Sequence, residues 1–251
     1  MSEFKPSLPD TTFADPAGIP GWHGKLPSFG DFASRRLPMA FVDVWDHWLS
    51  AGMAQLREDA PDAWLAAYLD SPVWRFVLMP GVLPGPCGQS AWAGVLMPSV
   101  DRVGRYFPMT LACPLHAPAC AASPALWQWL AQLDELAADA LYGDWGIERL
   151  EDALARMPPL TRTQATAVLP EQAPGSVVCV GESPAWVHKP DEAIPDAVAT
   201  ITATAMHGAS LHGMAWWQAQ PREAGRLLRV SRGLPAAGAF VHLFGIPVSP
   251  F

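Results

Sequence analysis

Three short apolar segments in the first half of the chain constrain the fold more than any other feature of the sequence. They span residues 73–79, 91–97 and 107–115. Glycine- and proline-rich loops separate them, and apolar runs of this length between turn residues are typical of buried strands. The loops are too short to hold a crossover helix, so we expect at least part of the sheet to be antiparallel.

Helical patterns flank these strands. From Phe41 to Leu56 apolar side chains recur at the spacing of one helix face, directly after Pro38, and this spacing turns Trp45 and Trp48 towards the core. Three further helices are predicted in "PDAWLAAYL", after Ser123-Pro124 and in "GIERLEDALARM". The C-terminal part offers further candidate elements, namely strands in "SVVCV", "AWVHK", "SLHGMAWWQA" and "RLLRVS" and a helix in "PDAVATITATA".

These elements predict a mixed α/β (α+β) fold, with a partly antiparallel sheet flanked by helices and two lobes packed as one globular unit. Along the chain we expect a flexible N-terminal arm (1–20), an N-terminal α/β region (21–157), a linker (158–175) and a C-terminal α/β region packed on the first (176–251). Half of the 251 residues are hydrophobic, which is enough for a sizeable core.

Charge and cysteine content exclude several classes of function. The net charge of −8 argues against a nucleic-acid binder, because such proteins need a basic surface to displace phosphate counterions. The four cysteines form no C-x-x-C pair, and the N-terminus shows no secretory signal pattern, so we expect a cytoplasmic protein with reduced thiols. No apolar run approaches the roughly 18–20 residues of a membrane span, and direct membrane insertion is therefore not expected.

Ser183 is the candidate for nucleophilic catalysis. In "VVCVGESPA" it follows an apolar strand in the order of a nucleophile elbow. Ala185 stands where the motif has its second glycine, however, and Pro184 has no N–H to donate to an oxyanion. The pattern favours a turn at the end of a strand, and a serine hydrolase remains an alternative.

The candidate metal ligands are Cys113, His116 and Cys120, which lie close together in "CPLHAPAC". A closed zinc site needs a fourth ligand, which this stretch does not supply. His207 and His212 are five positions apart and would not share an ion on one helix face. We therefore predict no metal and no cofactor.

Two segments carry charge of one sign. The stretch 133–152 is acidic and is interpreted as a solvated helix face. The stretch 222–232 is basic, with Arg222, Arg226, Arg229 and Arg232. It would either receive an acidic partner or balance the acidic stretch within the fold.

The segment "GWHGKLPSFGDFASRRLP" (21–38) lacks the glycine spacing of a phosphate-binding loop. Its glycines and prolines predict backbone at the surface. Together with a similar loop near residue 100, it supplies our candidate partner or loop-bridging residues: Lys25, Asp31, Arg35, Arg36, Asp101, Arg102 and Arg105. The basic groups could hold a carboxylate or phosphate of a partner, or bridge Asp31 and Asp101 internally. The adjacency of acids and bases favours the internal role.

Several longer blocks resemble one known family. "GWHGKLPSFGDFASRRLP", "FVDVWDHWLSAGM", "AYLDSPVWRFVLMPG" and "AWAGVLMPSVDRVGRYFPMTLACPL" are similar, in this order, to the N-terminal region of TagF, an accessory regulator of bacterial type VI secretion systems. "HGMAWWQAQ" and "RLLRVSRGLP" resemble its C-terminal part.

The resemblance implies a cytoplasmic, non-enzymatic protein that represses type VI secretion after translation. It further implies that the partner is a forkhead-associated (FHA) scaffold protein of the secretion apparatus. Some family members are fused to a serine/threonine phosphatase, which we expect here to be a separate polypeptide. Two other functions stay open beside this one: a serine hydrolase using Ser183, and a small-ligand sensor with a tryptophan-lined pocket.

Overall fold

An eight-stranded antiparallel sheet forms the centre of the fold. The computed structural model describes residues 18–115, 124–159, 185–188, 212–219 and 227–244. The strands are β1 (Gly21–Lys25), β2 (Phe32–Arg35), β3 (Trp74–Leu78), β4 (Ala91–Met97), β5 (Met109–Leu115), β6 (Ala185–His188), β7 (Met214–Ala219) and β8 (Leu227–Arg232). They lie in the order β2-β1-β5-β4-β3-β7-β8-β6, and each neighbouring pair is antiparallel. The prediction of antiparallel pairing is confirmed.

Helices cover both faces of the sheet, which confirms the mixed α+β class. The helices are α1 (Met39–Asp59), α2 (Trp64–Leu69), α3 (Pro124–Tyr142), α4 (Ile147–Arg156) and α5 (Val241–Phe244). Buried side chains of α3 and α4 form one hydrophobic core with one face of the sheet. Those of α1, α2 and α5 form a second core with the other face. The described part of the chain thus has three layers.

This two-sided burial explains why the central strands are continuous apolar runs. All seven residues of β4 are buried. Because neighbouring side chains of a strand point to opposite faces, Ala93 and Val95 pack in the core under α3, whereas Trp92 and Leu96 pack in the core under α1.

Helix α1 presents its aromatic stripe to the sheet as the spacing predicts. Trp45 and Trp48 are buried, which confirms their predicted orientation. The Trp45 indole N–H donates to Thr110 Oγ1 (2.8 Å), and the Trp48 indole N–H donates to the carbonyl of Pro235 (2.8 Å). Both rings are therefore buried without leaving a polar atom unpaired.

The glycine-rich stretch at residues 21–38 is more ordered than its sequence predicts. It forms strands β1 and β2, and β1 is buried along its whole length between β2 and β5. Gly24 has φ +136°, and a Cβ at this position would lie 2.3 Å from the carbonyl oxygen of Pro108. This glycine permits close approach of neighbouring backbone instead of marking a surface turn.

The C-terminal predictions are only partly covered by the described residues. Strands β6, β7 and β8 fall in three of the predicted segments, and β7 pairs directly with β3 of the N-terminal region. The predicted strand "SVVCV", the helix in "PDAVATITATA", nearly all of the 158–175 linker and residues 1–17 of the arm lie outside the described residues. Within the ranges that are described, no helix is both long and apolar enough to cross a membrane.

Candidate functional site

Lys25 and Asp101 form a buried ion pair that joins the end of β1 to the loop between β4 and β5. Lys25 Nζ donates to Asp101 Oδ2 at 2.7 Å, and the two residues are only 3% and 4% exposed. Arg105 Nε donates to the same oxygen at 2.7 Å. The backbone N–H groups of Val103 and Arg105 donate to Oδ1 at 3.0 and 2.9 Å. The Asp101 carboxylate thus organises its own loop and holds it against the hairpin.

The environment of Asp101 stabilises its ionised form. Burial by itself raises the pKa of this carboxyl, but the hydrogen bonds from Lys25, Arg105 and the Val103 N–H act in the opposite direction and outweigh it. The pKa of Asp101 consequently lies well below its usual range. The carboxylate remains charged at any pH near neutrality.

Ser99 and Tyr68 fasten the same loop from the other side. Ser99 Oγ donates to the carbonyl of Lys25 at 2.6 Å. The Tyr68 hydroxyl donates to the Ser99 carbonyl at 2.9 Å and accepts from the Ser99 N–H at 2.8 Å. Burial raises the pKa of Tyr68 far above its usual value, so the phenol stays protonated. No motif or spacing in the sequence points to either residue.

A second charged cluster links the end of β2 to α4. The Arg36 guanidinium donates to both carboxylate oxygens of Glu151 and, through Nη2, to the Pro20 carbonyl at 3.0 Å. The Trp22 indole N–H also donates to Glu151, at 2.5 Å. Burial raises the pKa of Glu151, but the hydrogen bonds from Arg36 and Trp22 overcome it and the net pKa is lowered. Arg36 itself has a left-handed backbone, with φ +59°.

The seven predicted residues therefore divide between interior and surface. Four of them take part in the two clusters: Lys25, Asp101, Arg105 and Arg36. The expectation that Lys25 lies at the surface is wrong, because β1 is covered on both sides. Asp31 does not bridge to an arginine of the described loops: it is exposed, and its carboxylate accepts the N–H of Phe32 at 2.8 Å. Arg35 and Arg102 are also exposed, and a role for them in partner binding stays a prediction.

The acidic stretch is only partly the solvated face that its sequence predicts. Glu135, Asp139 and Glu148 are exposed, but Asp134 accepts from Arg75 Nε at 2.8 Å across the α3–sheet interface, as Glu151 does from Arg36. In the basic stretch, Arg229 is buried and donates to the carbonyl of Ala239 at 3.3 Å. Arg222 and Arg226 lie outside the described residues.

Catalytic and metal-binding predictions fall mostly outside the described residues, which include neither Ser183, His116, Cys120 nor His207. Cys113 and Cys87 are buried free thiols, and burial raises the pKa of Cys113 to about 12. Among the residues that the structure covers, no three His, Cys, Asp or Glu side chains are grouped so that they could hold a metal ion.

Fold and charged clusters together define a three-layer α+β protein whose buried ion pairs fasten loops and helices to the sheet. The TagF N-terminal domain, described as type VI secretion system-associated, matches residues 21–157. The crystal structure of PA0076 from Pseudomonas aeruginosa PAO1 is similar, with 34% sequence identity and a TM-score of 0.62 over 92% of this chain and 99% of that chain. Comparison with curated proteins gave no match. The chain belongs to the TagF family.

Proposed function

We propose that this protein is a cytoplasmic, non-enzymatic regulator that represses type VI secretion after translation by binding an FHA scaffold component of the apparatus. One observation carries the proposal: the match of residues 21–157 to a domain described as type VI secretion system-associated. The repressive action and the scaffold partner are what resemblance to the family implies.

The geometry of the charged residues supports a binding role. Lys25 pairs with Asp101, and Arg36 pairs with Glu151. Ion pairs within the protein fix the loops that carry them in one conformation. Loops held in this way offer a partner a preformed surface, which lowers the cost of ordering on association. Repression by occupying a partner needs such a surface and no turnover.

Secretion measured in the native bacterium tests the proposal. Deletion of the gene should raise secretion of the tube protein without changing its transcript, and overproduction should silence secretion in proportion to the amount of protein. Re-expression from a plasmid in the deletion strain is the control and should restore the parental level. The proposal fails if the deletion strain secretes no more than its parent and the purified protein binds no component of the apparatus.

A further inference from the structure

We propose that the outer edge of strand β2 pairs with β2 of a second copy of the chain, so that the sheets of the two copies join across a two-fold axis. Strand β2 lies at one end of the strand order, and within the described ranges β1 is the only strand beside it. The inference concerns two copies of this chain and is independent of the proposed function.

The backbone of β2 directs two residues outwards, away from β1. The Phe32 N–H donates to Asp31 Oδ1 at 2.8 Å, and the Ser34 carbonyl accepts from Arg35 Nη1 at 2.9 Å, both in exposed positions. The Arg35 carbonyl points the other way, because it would lie 2.8 Å from a Cβ on Gly21, next to β1. Alternate residues of an antiparallel strand bond to opposite neighbours. The N–H and C=O groups of Phe32 and Ser34 are therefore those that the edge offers to a further strand.

These directions restrict how two copies of β2 can pair. A symmetric antiparallel pair uses both outward residues only when Phe32 of one copy lies opposite Ser34 of the other, with the axis at Ala33. Each such pair exchanges two backbone hydrogen bonds. The two Phe32 rings then become diagonal neighbours, about 7–8 Å apart, which is within reach of aromatic side chains. Phe32 is 44% exposed, so its ring has apolar surface to bury in this contact.

The same register brings opposite charges together. It places Asp31 of one copy opposite Arg35 of the other, on both sides of the axis. Both side chains are exposed, and neither has an ion-pair partner within the part of the chain that the structure describes. The adjacent base, Arg36, is already paired with Glu151. The charge pattern of β2 is thus complementary to its own antiparallel copy, which identifies the partner as a second copy of the chain.

The length of β2 limits the strength of this association. The strand has four residues, and the exposed hydrogen bonds from Asp31 and to Arg35 must be exchanged for bonds to the second copy. A contact of this size is smaller than the interface of a stable dimer. We therefore expect a dissociation constant above about 10 µM, so that dilute solutions contain the monomer.

Sedimentation equilibrium of the full chain, from about 5 to about 500 µM, tests the pairing. The average mass of the wild type should rise towards that of a dimer with concentration. Ser34→Pro removes one outward N–H, at a position where an edge strand tolerates proline, and should weaken association by about tenfold or more. Ser34→Ala keeps that N–H and is the matched control, which should associate as the wild type does. Melting curves establish that both variants are folded.

Charge reversal tests the register. Asp31→Arg and Arg35→Glu each place like charges opposite one another, so each variant alone should associate about tenfold more weakly or less. An equimolar mixture of the two variants has opposite charges at both positions and should associate about as well as the wild type. Arg156→Glu, at an exposed position of α4, is the control and should change nothing.

Three results would overturn the proposal. The first is a wild type that stays monomeric over the whole concentration range. The second is a wild-type dimer that Ser34→Pro leaves intact, which would place the contact elsewhere. The third is a mixture of the two charge variants that associates no better than either variant alone.

Discussion

Trp45 packs against aromatic side chains of α1, β3 and β7. Its ring is fully buried, stacks on Phe41 with centroids 5.2 Å apart, and lies 5.1 Å from Phe76 and 6.3 Å from Trp217. Removing it would leave a large cavity between α1 and the sheet and an unpaired hydroxyl on Thr110.

We therefore expect Trp45→Ala to lower the free energy of unfolding by about 3–5 kcal/mol, measured by denaturant titration. Tyr142→Ala is the control, since Tyr142 is 80% exposed and its truncation should cost little. Equal unfolding midpoints for the two variants would contradict the central position of Trp45.

Asp101 makes stability depend on pH. Its pKa is lowered in the folded state, so its stabilising contribution is complete above the unfolded value of about 4 and is lost as the pH falls from there towards the folded pKa. Asp101→Asn should melt at a lower temperature near neutral pH, because Lys25 then lacks its buried counter-ion. Its melting temperature should also fall less on acidification than that of the wild type.

Thermal melts between neutral pH and about pH 3 distinguish this effect from general acid sensitivity. Asp31→Asn removes an exposed carboxylate and should reproduce the wild-type profile. Parallel pH profiles for wild type and Asp101→Asn would show that the buried pair does not set the acid response.

At the scale of elements, Gly52 sets how closely the C-terminal segment approaches α1. A Cβ at this position would lie 2.3 Å from the ring of Phe240, which is fully buried. Alanine in a helix normally stabilises it by about 1 kcal/mol relative to glycine. At Gly52 we expect alanine to destabilise the protein instead, because the Phe240 ring is packed against Trp48 and Phe244 and has little room to move away from the added methyl group.

Gly52→Ala should therefore destabilise the protein by about 1–3 kcal/mol in denaturant unfolding. In a Phe240→Ala background the same substitution should be neutral or stabilising, so the two changes form a strongly non-additive cycle. Additive effects would mean that the glycine is present for another reason.

The elements differ in how far the sequence determines them. Strand β4 can be predicted from the sequence because burial on both faces makes its apolar run continuous. Helix α1 can be predicted because its apolar stripe keeps one helical period from Phe41 to Leu56. The sequence pattern does not predict the β1–β2 hairpin, because glycine normally weakens a strand. At Gly24 it instead allows close contact with Pro108, which only the paired strands reveal.

The charged clusters show a similar division. Adjacent acids and bases in the sequence favour internal pairing, and internal pairs are found. The sequence does not predict which residues pair, because the partners are far apart along the chain: 76 positions separate Lys25 from Asp101, and 115 separate Arg36 from Glu151. Choosing them requires the order of strands in the sheet and the position of α4 beside β2, neither of which is a local property of the sequence.

At the scale of the whole molecule, residues 21–157 supply five of the eight strands found in the described residues, and β3 borders the other three. In a fragment that ends at residue 157, β3 would lose β7, its hydrogen-bonding neighbour. Trp74 and Phe76 would also lose the side chains of β7 and α5 that share their core. Exposed edges next to aromatic surface promote association between chains.

We therefore expect a fragment of residues 1–157 to elute as oligomers in gel filtration and to lack a cooperative melt, unlike the full chain. Co-expression with residues 158–251 as a separate chain is the control and should restore the monomer-sized complex. A fragment that is monomeric and melts cooperatively would contradict this expectation and support a domain boundary within 158–175.

The pairing of β3 with β7 also imposes an order in time on synthesis. The side chains of Arg75 and Gln218, on these two neighbouring strands, are joined by a hydrogen bond although they are 143 residues apart. At the usual rate of translation, β3 leaves the ribosome on the order of ten seconds before β7 exists. For that interval the middle of the future sheet is an unpaired edge, and the aromatic side chains of β3 wait for the strand that will cover them.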